Sequence, residues 1–172
     1  VINDALLGNY HLPFFNIVLS LLFIAISAVI TVDILCVKGS FLSIFIGAIF
    51  AVYPVVTSTF AYNFSAVFYF MALMLALLSV RQSLNNKYIS GVILLTLSLG
   101  FYQAYFSVAL TVSLTVVMVM LLDKDIKLID SIKKGVSFIA SFIVSLLLYL
   151  VINKLSVIIM KPPATGYQGA DE

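Results

Sequence analysis

Charged side chains are scarce in this sequence. Asp, Glu, Lys and Arg make up 9% of its 172 residues, whereas hydrophobic residues make up 63% and the mean hydropathy is +1.22. A soluble domain of this length could not bury so much apolar surface, so the composition predicts an all-α, polytopic membrane protein embedded in the lipid bilayer. The few basic residues are dispersed between apolar segments, which excludes a patch that binds nucleic acid.

Cysteine and histidine are almost absent. Cys36 is the single cysteine, so neither a disulfide within the chain nor a cysteine-based metal site can form. His11 alone cannot build a zinc site. The sequence also lacks a Walker loop, a dinucleotide fingerprint and a nucleophile elbow. We therefore expect no metal and no cofactor.

The first residues lack the features of a signal peptide. The chain opens at Val1 without an initiator Met or a basic region, which indicates a fragment of a longer polytopic protein. Ile2, Ala5 and Leu6 share one helical face, so we interpret residues 1–11 as the end of an interfacial helix on the outer membrane face.

Six apolar segments predict about six transmembrane helices. The expected spans are residues 12–37, 41–56, 65–80, 88–99, 104–122 and 135–160, with an outer tail at 161–172. From Tyr88 to Leu122 there are 35 residues without a charge. One helix of that length would measure roughly 50 Å against a hydrocarbon core of about 30 Å. Two helices that turn at residues 100–103 fit better, so we predict a hairpin there.

The hairpin decides which side of the membrane each loop occupies. With it, the inner loops 38–40, 81–87 and 123–134 carry seven of the nine basic residues, and only Lys154 and Lys161 remain outside. This bias follows the positive-inside rule and places both ends of the chain on the outer side of a bacterial inner membrane. The segment 123–134 is amphipathic and is expected on the inner surface.

Two features inside the spans have ordinary structural interpretations. Asp33 lies near the inner end of the first span, and snorkelling towards the interface near Lys38 is favoured over a functional role. Ser43, Gly47 and Ala51 recur every fourth residue in the second span, and small side chains in this pattern predict a close helix–helix contact.

The predicted outer loops collect aromatic and amide side chains. Aromatic faces stack on the C–H patches of sugars and amides bond to sugar hydroxyls, so these residues are candidates for substrate binding: Tyr62, Asn63, Tyr102, Gln103 and Tyr105. The competing interpretation is an aromatic belt, because Tyr is enriched at any membrane interface. Gln103 favours the binding site, since anchoring does not need an amide at a tight turn.

Several of these residues belong to short motifs that resemble a known family. The sequence is similar to the bacterial inner-membrane glucosyltransferases that modify O-antigen, a family with a GT-C-type fold, in Leu12-Pro13-Phe14-Phe15, Tyr53-Pro54, Tyr62-Asn63-Phe64-Ser65 and Leu97-Ser98-Leu99-Gly100-Phe101-Tyr102-Gln103-Ala104-Tyr105. The resemblance implies transfer of a glucosyl unit on the periplasmic side. The donor would be glucose on a polyprenyl phosphate, and the acceptor a surface polysaccharide such as the O-antigen of lipopolysaccharide.

The resemblance also indicates where catalytic groups belong. Such a transfer needs a carboxylate to activate the acceptor and cations to hold the departing phosphate. In the family the acids lie in the first large outer loop, which here would precede Val1 and leave Asp4 as the only candidate. Ser65 stands where relatives are expected to carry an acid. His11 and Lys161 are the candidates for contact with the lipid phosphate.

A transporter or flippase subunit without covalent chemistry is the alternative, and a non-catalytic assembly protein is a third possibility. Transport predicts charged or broken helices at mid-bilayer. Asp33 is off-centre and, apart from Pro13 at the start of the first span, Pro54 is the only proline inside a span, which favours the transferase.

Overall fold

The computed structural model describes residues 13–124 and 126–160. These residues form no strand, and their helices are α1 (Pro13–Ile34), α2 (Ser40–Val52), α3 (Pro54–Phe60), α4 (Asn63–Leu84), α5 (Tyr88–Phe101), α6 (Tyr105–Leu122) and α7 (Leu128–Met160). The expected interfacial segment 1–11 and tail 161–172, with Asp4, His11 and Lys161, lie outside the described residues.

The helix lengths confirm a polytopic, all-α membrane protein. Among the described helices, α1, α4, α6 and α7 are long and apolar enough to cross a bilayer. The apolar helices α2 and α5 have 13 and 14 residues. At 1.5 Å per residue they measure about 20 Å, less than the hydrocarbon core of about 30 Å. The six predicted spans thus correspond to four full-length helices and two short ones.

The helix α4 is the centre of the bundle. Ala66, Ala72, Ala76, Leu77 and Val80 on this helix are all 0% exposed. Three of these side chains are single methyl groups, which allows neighbouring backbones to approach closely. α4 packs most extensively against α1 and α5, and it also contacts α3, α6 and α7.

Close packing of α5 on α4 depends on a glycine. A Cβ atom at Gly91 would lie 3.0 Å from the backbone oxygen of Ser79 and closer still to Oγ of Ser83. Towards the other end of the interface, Oγ of Ser98 donates to the carbonyl of Ala72 at 2.7 Å. The two helices are therefore antiparallel, and Gly91 marks their tightest contact.

The helix α7 packs along α5 in the same direction. Lys134 near the start of α7 lies beside Tyr88 at the start of α5, and further along both helices Oγ1 of Thr96 donates to the Ser145 carbonyl and Oγ of Ser145 donates to the Val92 carbonyl, each at 3.3 Å. Such hydroxyl bonds between helices stabilise packing where no water competes.

The helix break predicted between residues 88 and 122 is present, slightly later than expected. Tyr102 is extended (φ −158°, ψ 111°), and α6 begins at Tyr105. Gly100 stays helical, because the amide of Tyr102 still donates to the Ser98 carbonyl at 2.9 Å. The turn therefore occupies residues 102–104, which we call the corner.

Other boundaries differ from the expected spans. The second span ends at Val52, because Tyr53 is extended and Pro54, which has no N–H, starts the separate helix α3. Residues 54–60 are thus a short helix, where the end of a span and a loop were expected. α7 begins at Leu128, so most of the expected surface segment 123–134 belongs to the same helix as the last span.

Candidate functional site

Ionic groups gather at one end of the bundle, which we call the charged end. Nε of Arg81 lies 2.6 Å from Oδ2 of Asp33, and this ion pair joins the ends of α4 and α1. Asp33 is therefore paired with Arg81, and the expected reach towards Lys38 is not needed. The described residues of the basic segments 38–40, 81–87 and 123–134 lie at this end, because these segments follow α1, span the end of α4 and precede or begin α7.

Lys134 closes the end of α4 at the charged end. Its ammonium donates to the carbonyls of Ser83 and Leu84 at 2.8 Å each, and to Oδ1 of Asn86 at 3.0 Å. Its Nζ also lies 5.4 Å from the ring centroid of Tyr88. The last carbonyls of a helix lack partners within the helix and carry partial negative charge, so a cation there stabilises the end of α4.

The opposite end of the bundle carries a cavity of about 650 Å³. We call this end the tyrosine end, because five tyrosines contribute to the cavity wall: Tyr53, Tyr62, Tyr69, Tyr102 and Tyr105. The remaining wall comes from α2, α3, α4 and the first turns of α6. Its size falls in the range of pockets that bind small molecules.

Three of the tyrosine rings pack against one another. The ring centroids of Tyr69 and Tyr102 are 4.5 Å apart, and those of Tyr102 and Tyr105 are 5.3 Å apart. Tilted and edge-on ring pairs of this kind stabilise by about 0.5 to 1.5 kcal/mol each beyond their burial. Tyr102 belongs to both pairs, and its extended backbone turns the chain at the corner. The cluster therefore holds the corner against α4.

The sequence candidates divide into two groups in the structure. Tyr62, Tyr102 and Tyr105 line the cavity, as predicted candidates brought together from distant parts of the chain. Gln103 is not part of the lining, and its Nε2 donates to the hydroxyl of Tyr149 on α7. Asn63 begins α4, while the position of its side chain lies outside what the structure describes.

Tyr53 and Tyr69 were not among the sequence candidates. Tyr53 precedes a proline, which favours an extended residue, but its position over the cavity depends on the break between α2 and α3. Tyr69 lies inside a predicted span and resembles an ordinary core aromatic by pattern. The packing of α4 against the corner brings Tyr69 to the same wall as Tyr102, and the break between α2 and α3 brings Tyr53 there.

The cavity offers aromatic faces and hydroxyls, without charge. No Asp, Glu, Lys or Arg contributes to the wall among the residues that the structure describes. Within those residues none of the five tyrosine hydroxyls has a hydrogen-bond partner. Tyr62 and Tyr102 are 59% and 40% exposed, so their rings are accessible from the cavity mouth. The described wall is mainly apolar and aromatic with a few hydroxyls, which fits an uncharged ligand, and no carboxylate in it could act as a general base.

Fold and site together define an all-helical membrane protein with a tyrosine-lined cavity at one end of its bundle. A family model described as Glucosyl transferase GtrII matches residues 1–172, and the chain belongs to this glucosyltransferase family. The resemblance that the sequence indicated is thereby confirmed at the level of the family. No curated protein and no solved structure matches the chain.

Proposed function

We propose that this chain forms the sugar-binding part of a GT-C-type glucosyltransferase, with the cavity at the tyrosine end as the sugar site. The enzyme moves a glucosyl unit from a polyprenyl-phosphate donor to a hydroxyl of a surface polysaccharide such as O-antigen, on the periplasmic side of the inner membrane. The observation that carries this proposal is the cavity of about 650 Å³ walled by five tyrosines.

The chemistry of the wall supports a sugar as the ligand. The apolar faces of a hexose stack on aromatic rings, and its hydroxyls bond to phenolic hydroxyls, which act as donors and acceptors. An aromatic belt explains tyrosines spaced around a bundle, but it does not explain three rings in mutual contact beside a cavity. This clustering favours the binding site over the belt.

The distribution of charge supports a periplasmic site. Three basic segments lie at the charged end, and the positive-inside rule assigns that end to the cytoplasm. The tyrosine end then faces the periplasm, where a surface polysaccharide is accessible. Among the described residues, Lys154 is the basic residue near the tyrosine end, one turn of α7 after Tyr149.

The proposed reaction is a substitution at the anomeric carbon. The acceptor oxygen forms a bond to C1 of glucose, the bond from C1 to the phosphate oxygen breaks, and the polyprenyl phosphate leaves with the electron pair. The acceptor proton passes to a carboxylate. No carboxylate lies among the described residues of the cavity wall, so the proposal assigns that base to none of them.

Loss of the ring cluster tests this proposal. In the full-length protein, Tyr102→Ala removes the ring that contacts both Tyr69 and Tyr105, and we expect glucose transfer to fall roughly ten- to a hundredfold. Tyr102→Phe keeps the ring and should lose only about tenfold or less. The assay follows radiolabelled glucose from polyprenyl-phosphate glucose into the acceptor polysaccharide in reconstituted membranes.

Tyr88→Phe is the matched control, because it removes a tyrosine hydroxyl at the charged end, where that hydroxyl donates to Asn86. This variant should transfer glucose at the wild-type rate. If a well-folded Tyr102→Ala protein transferred glucose at the wild-type rate, the cavity would not be the sugar site and the proposal would be wrong.

A further inference from the structure

A separate cavity of about 380 Å³ lies at the charged end, and we call it the lysine pocket. It lies where the ends of α4 and α6 meet the first turns of α5 and α7. Leu84 and Met120 contribute apolar side chains to its wall, whereas α7 contributes Asp130, Lys133 and Lys134. The lysine pocket is therefore a charged site, unlike the cavity at the tyrosine end, whose described wall carries no charge.

The two lysines of the pocket differ in what their ammonium groups bind within the protein. Lys134 donates to three acceptors around the end of α4, so its three N–H groups are already used, although its positive charge remains beside the pocket. The side chain of Lys133 is exposed and has no hydrogen bond or ion pair among the described residues. Its ammonium is therefore available to bind an anionic group of a ligand directly.

Asn86 supplies a second donor to the wall of the lysine pocket. Its Oδ1 accepts from the hydroxyl of Tyr88 and from the ammonium of Lys134, each at 3.0 Å. Because both of these partners are donors, they fix the orientation of the amide, and Nδ2 keeps its N–H groups without a partner in the described chain. A phosphate group accepts bonds from an ammonium and from an amide, so Lys133 and Asn86 together suit a phosphate.

Asp130 is the acidic residue of the described pocket wall, three positions before Lys133 on the same side of α7. Side chains at this spacing are neighbours, with Cβ atoms about 5 to 6 Å apart. Neither residue has an ion-pair partner within the part of the chain that the structure describes. The carboxylate repels a bare phosphate, but a phosphate that carries a primary ammonium two carbons away places one charge at Lys133 and the other at Asp130.

The surroundings of the pocket are apolar and exposed, which favours a lipid over a soluble ligand. Ile129 and Val136 lie on the same side of α7 as Lys133, and both are 60% exposed. Leu122 at the end of α6 is 81% exposed. The positive-inside rule assigns the charged end to the cytoplasmic surface, where the headgroups of the inner leaflet lie. The acyl chains of a lipid in the pocket would contact these exposed side chains.

We propose that the lysine pocket binds the headgroup of an ethanolamine phospholipid from the inner leaflet. Lys133 and Asn86 bind the phosphate, and the charge of Lys134 adds to the attraction. Asp130 binds the ammonium of the ethanolamine. Basic pockets between transmembrane helices at the cytoplasmic surface commonly hold lipid headgroups, and the carboxylate adds selectivity for an aminophospholipid. The site lies at the opposite end of the bundle from the proposed sugar site and takes no part in the proposed reaction.

Native mass spectrometry of the full-length protein in detergent tests the proposal by counting bound lipids. The protein is titrated with phosphatidylethanolamine, phosphatidylglycerol and phosphatidylcholine of identical acyl chains. We expect the ethanolamine lipid to bind roughly tenfold more tightly than the other two, because glycerol has no ammonium and the methylated ammonium of choline donates no hydrogen bond to Asp130. Equal binding of the three lipids, or tighter binding of the glycerol lipid, would overturn the proposal. Soluble glycerophosphoethanolamine should not displace the lipid at equal concentration, and full displacement would contradict a lipid ligand.

Variants of the two charged residues assign the binding to this pocket. Lys133→Met should weaken binding of the ethanolamine lipid roughly tenfold, because it removes the ammonium that binds the phosphate. Asp130→Asn should abolish the preference for ethanolamine over glycerol. Lys127→Met is the matched control: it removes the same charge at an exposed position outside the described pocket wall and should bind as the wild type does. Unchanged binding by a folded Lys133→Met protein, or an unchanged preference in Asp130→Asn, would contradict the proposal.

Discussion

The two ends of the bundle use polar side chains in opposite ways. At the charged end, Lys134 bonds to three acceptors around the end of α4, and Asp33 pairs with Arg81. At the tyrosine end, five hydroxyls have no partner among the described residues, and a cavity of about 650 Å³ stays open between the helices. Satisfied polar groups hold a structure together, whereas unsatisfied groups beside a cavity are available to a ligand. The charged end thus joins helix ends through ionic contacts, whereas the tyrosine end holds the cavity that we propose as the sugar site.

The largest expected effect is a loss of stability on replacing Gly91 of α5, and Gly100 on the same helix, which has open surroundings, is the control. Gly91→Leu forces a side chain into Ser79 and Ser83 of α4, and such overpacking should destabilise the protein by about 3 kcal/mol. Gly100→Leu, near the corner, meets nothing within 4 Å and should leave stability unchanged or slightly increased. Thermal unfolding in detergent compares the two variants. Equal loss of stability in both would refute the contrast between a packed and an open end.

An intermediate effect is expected at the end of α4. Lys134→Met keeps the length of the side chain and removes the ammonium that bonds to Ser83, Leu84 and Asn86, so it should destabilise by about 1 to 2 kcal/mol. Lys133→Met at the exposed neighbouring position is the control, and it should have little effect. Thermal unfolding again provides the measurement. An equal loss of stability in both variants would indicate a general effect of charge and would contradict a specific role of Lys134 at the end of α4.

The sequence predicted those parts of the fold that depend on the length of apolar segments and on the positions of charged residues. A run of 35 uncharged residues cannot form one span, so a break near residue 100 was predictable, as was the shared position of the basic segments. The exact corner was not, because Gly100 suggested a turn, whereas ring contacts of Tyr102 with Tyr69 and Tyr105 form it two residues later.

The candidate site was predictable only in part, because side-chain partners depend on packing between distant segments. Tyr62, Tyr102 and Tyr105 stood at predicted loops and do line one cavity. Gln103 stood beside them, but it bonds to Tyr149, which is 46 residues away in sequence. Likewise, the small-residue pattern predicted a close helix contact at Gly47, but a Cβ atom there would meet nothing within 4 Å, because residue spacing alone does not determine how closely a neighbouring helix approaches.

The smallest effect concerns the bond from Gln103 to Tyr149, which joins the corner to α7. We expect Gln103→Ala and Tyr149→Phe each to lower glucose transfer severalfold, corresponding to about 1 kcal/mol, because each removes the same hydrogen bond. The double variant should then be no worse than either single one. Effects that add in the double variant, with a larger loss from Gln103→Ala, would instead place the amide in direct contact with the substrate.

The orientation of the two ends is the claim on which the proposed reaction depends, and Cys36 allows a direct test. Cys36 is exposed, and it follows α1 at the charged end. In intact spheroplasts a membrane-impermeant maleimide should leave Cys36 unlabelled until the membrane is permeabilised. With Cys36→Ala as the background, Tyr62→Cys should be labelled before permeabilisation. Labelling of Cys36 from outside, with Tyr62→Cys protected, would place the tyrosine end in the cytoplasm and contradict a periplasmic sugar site.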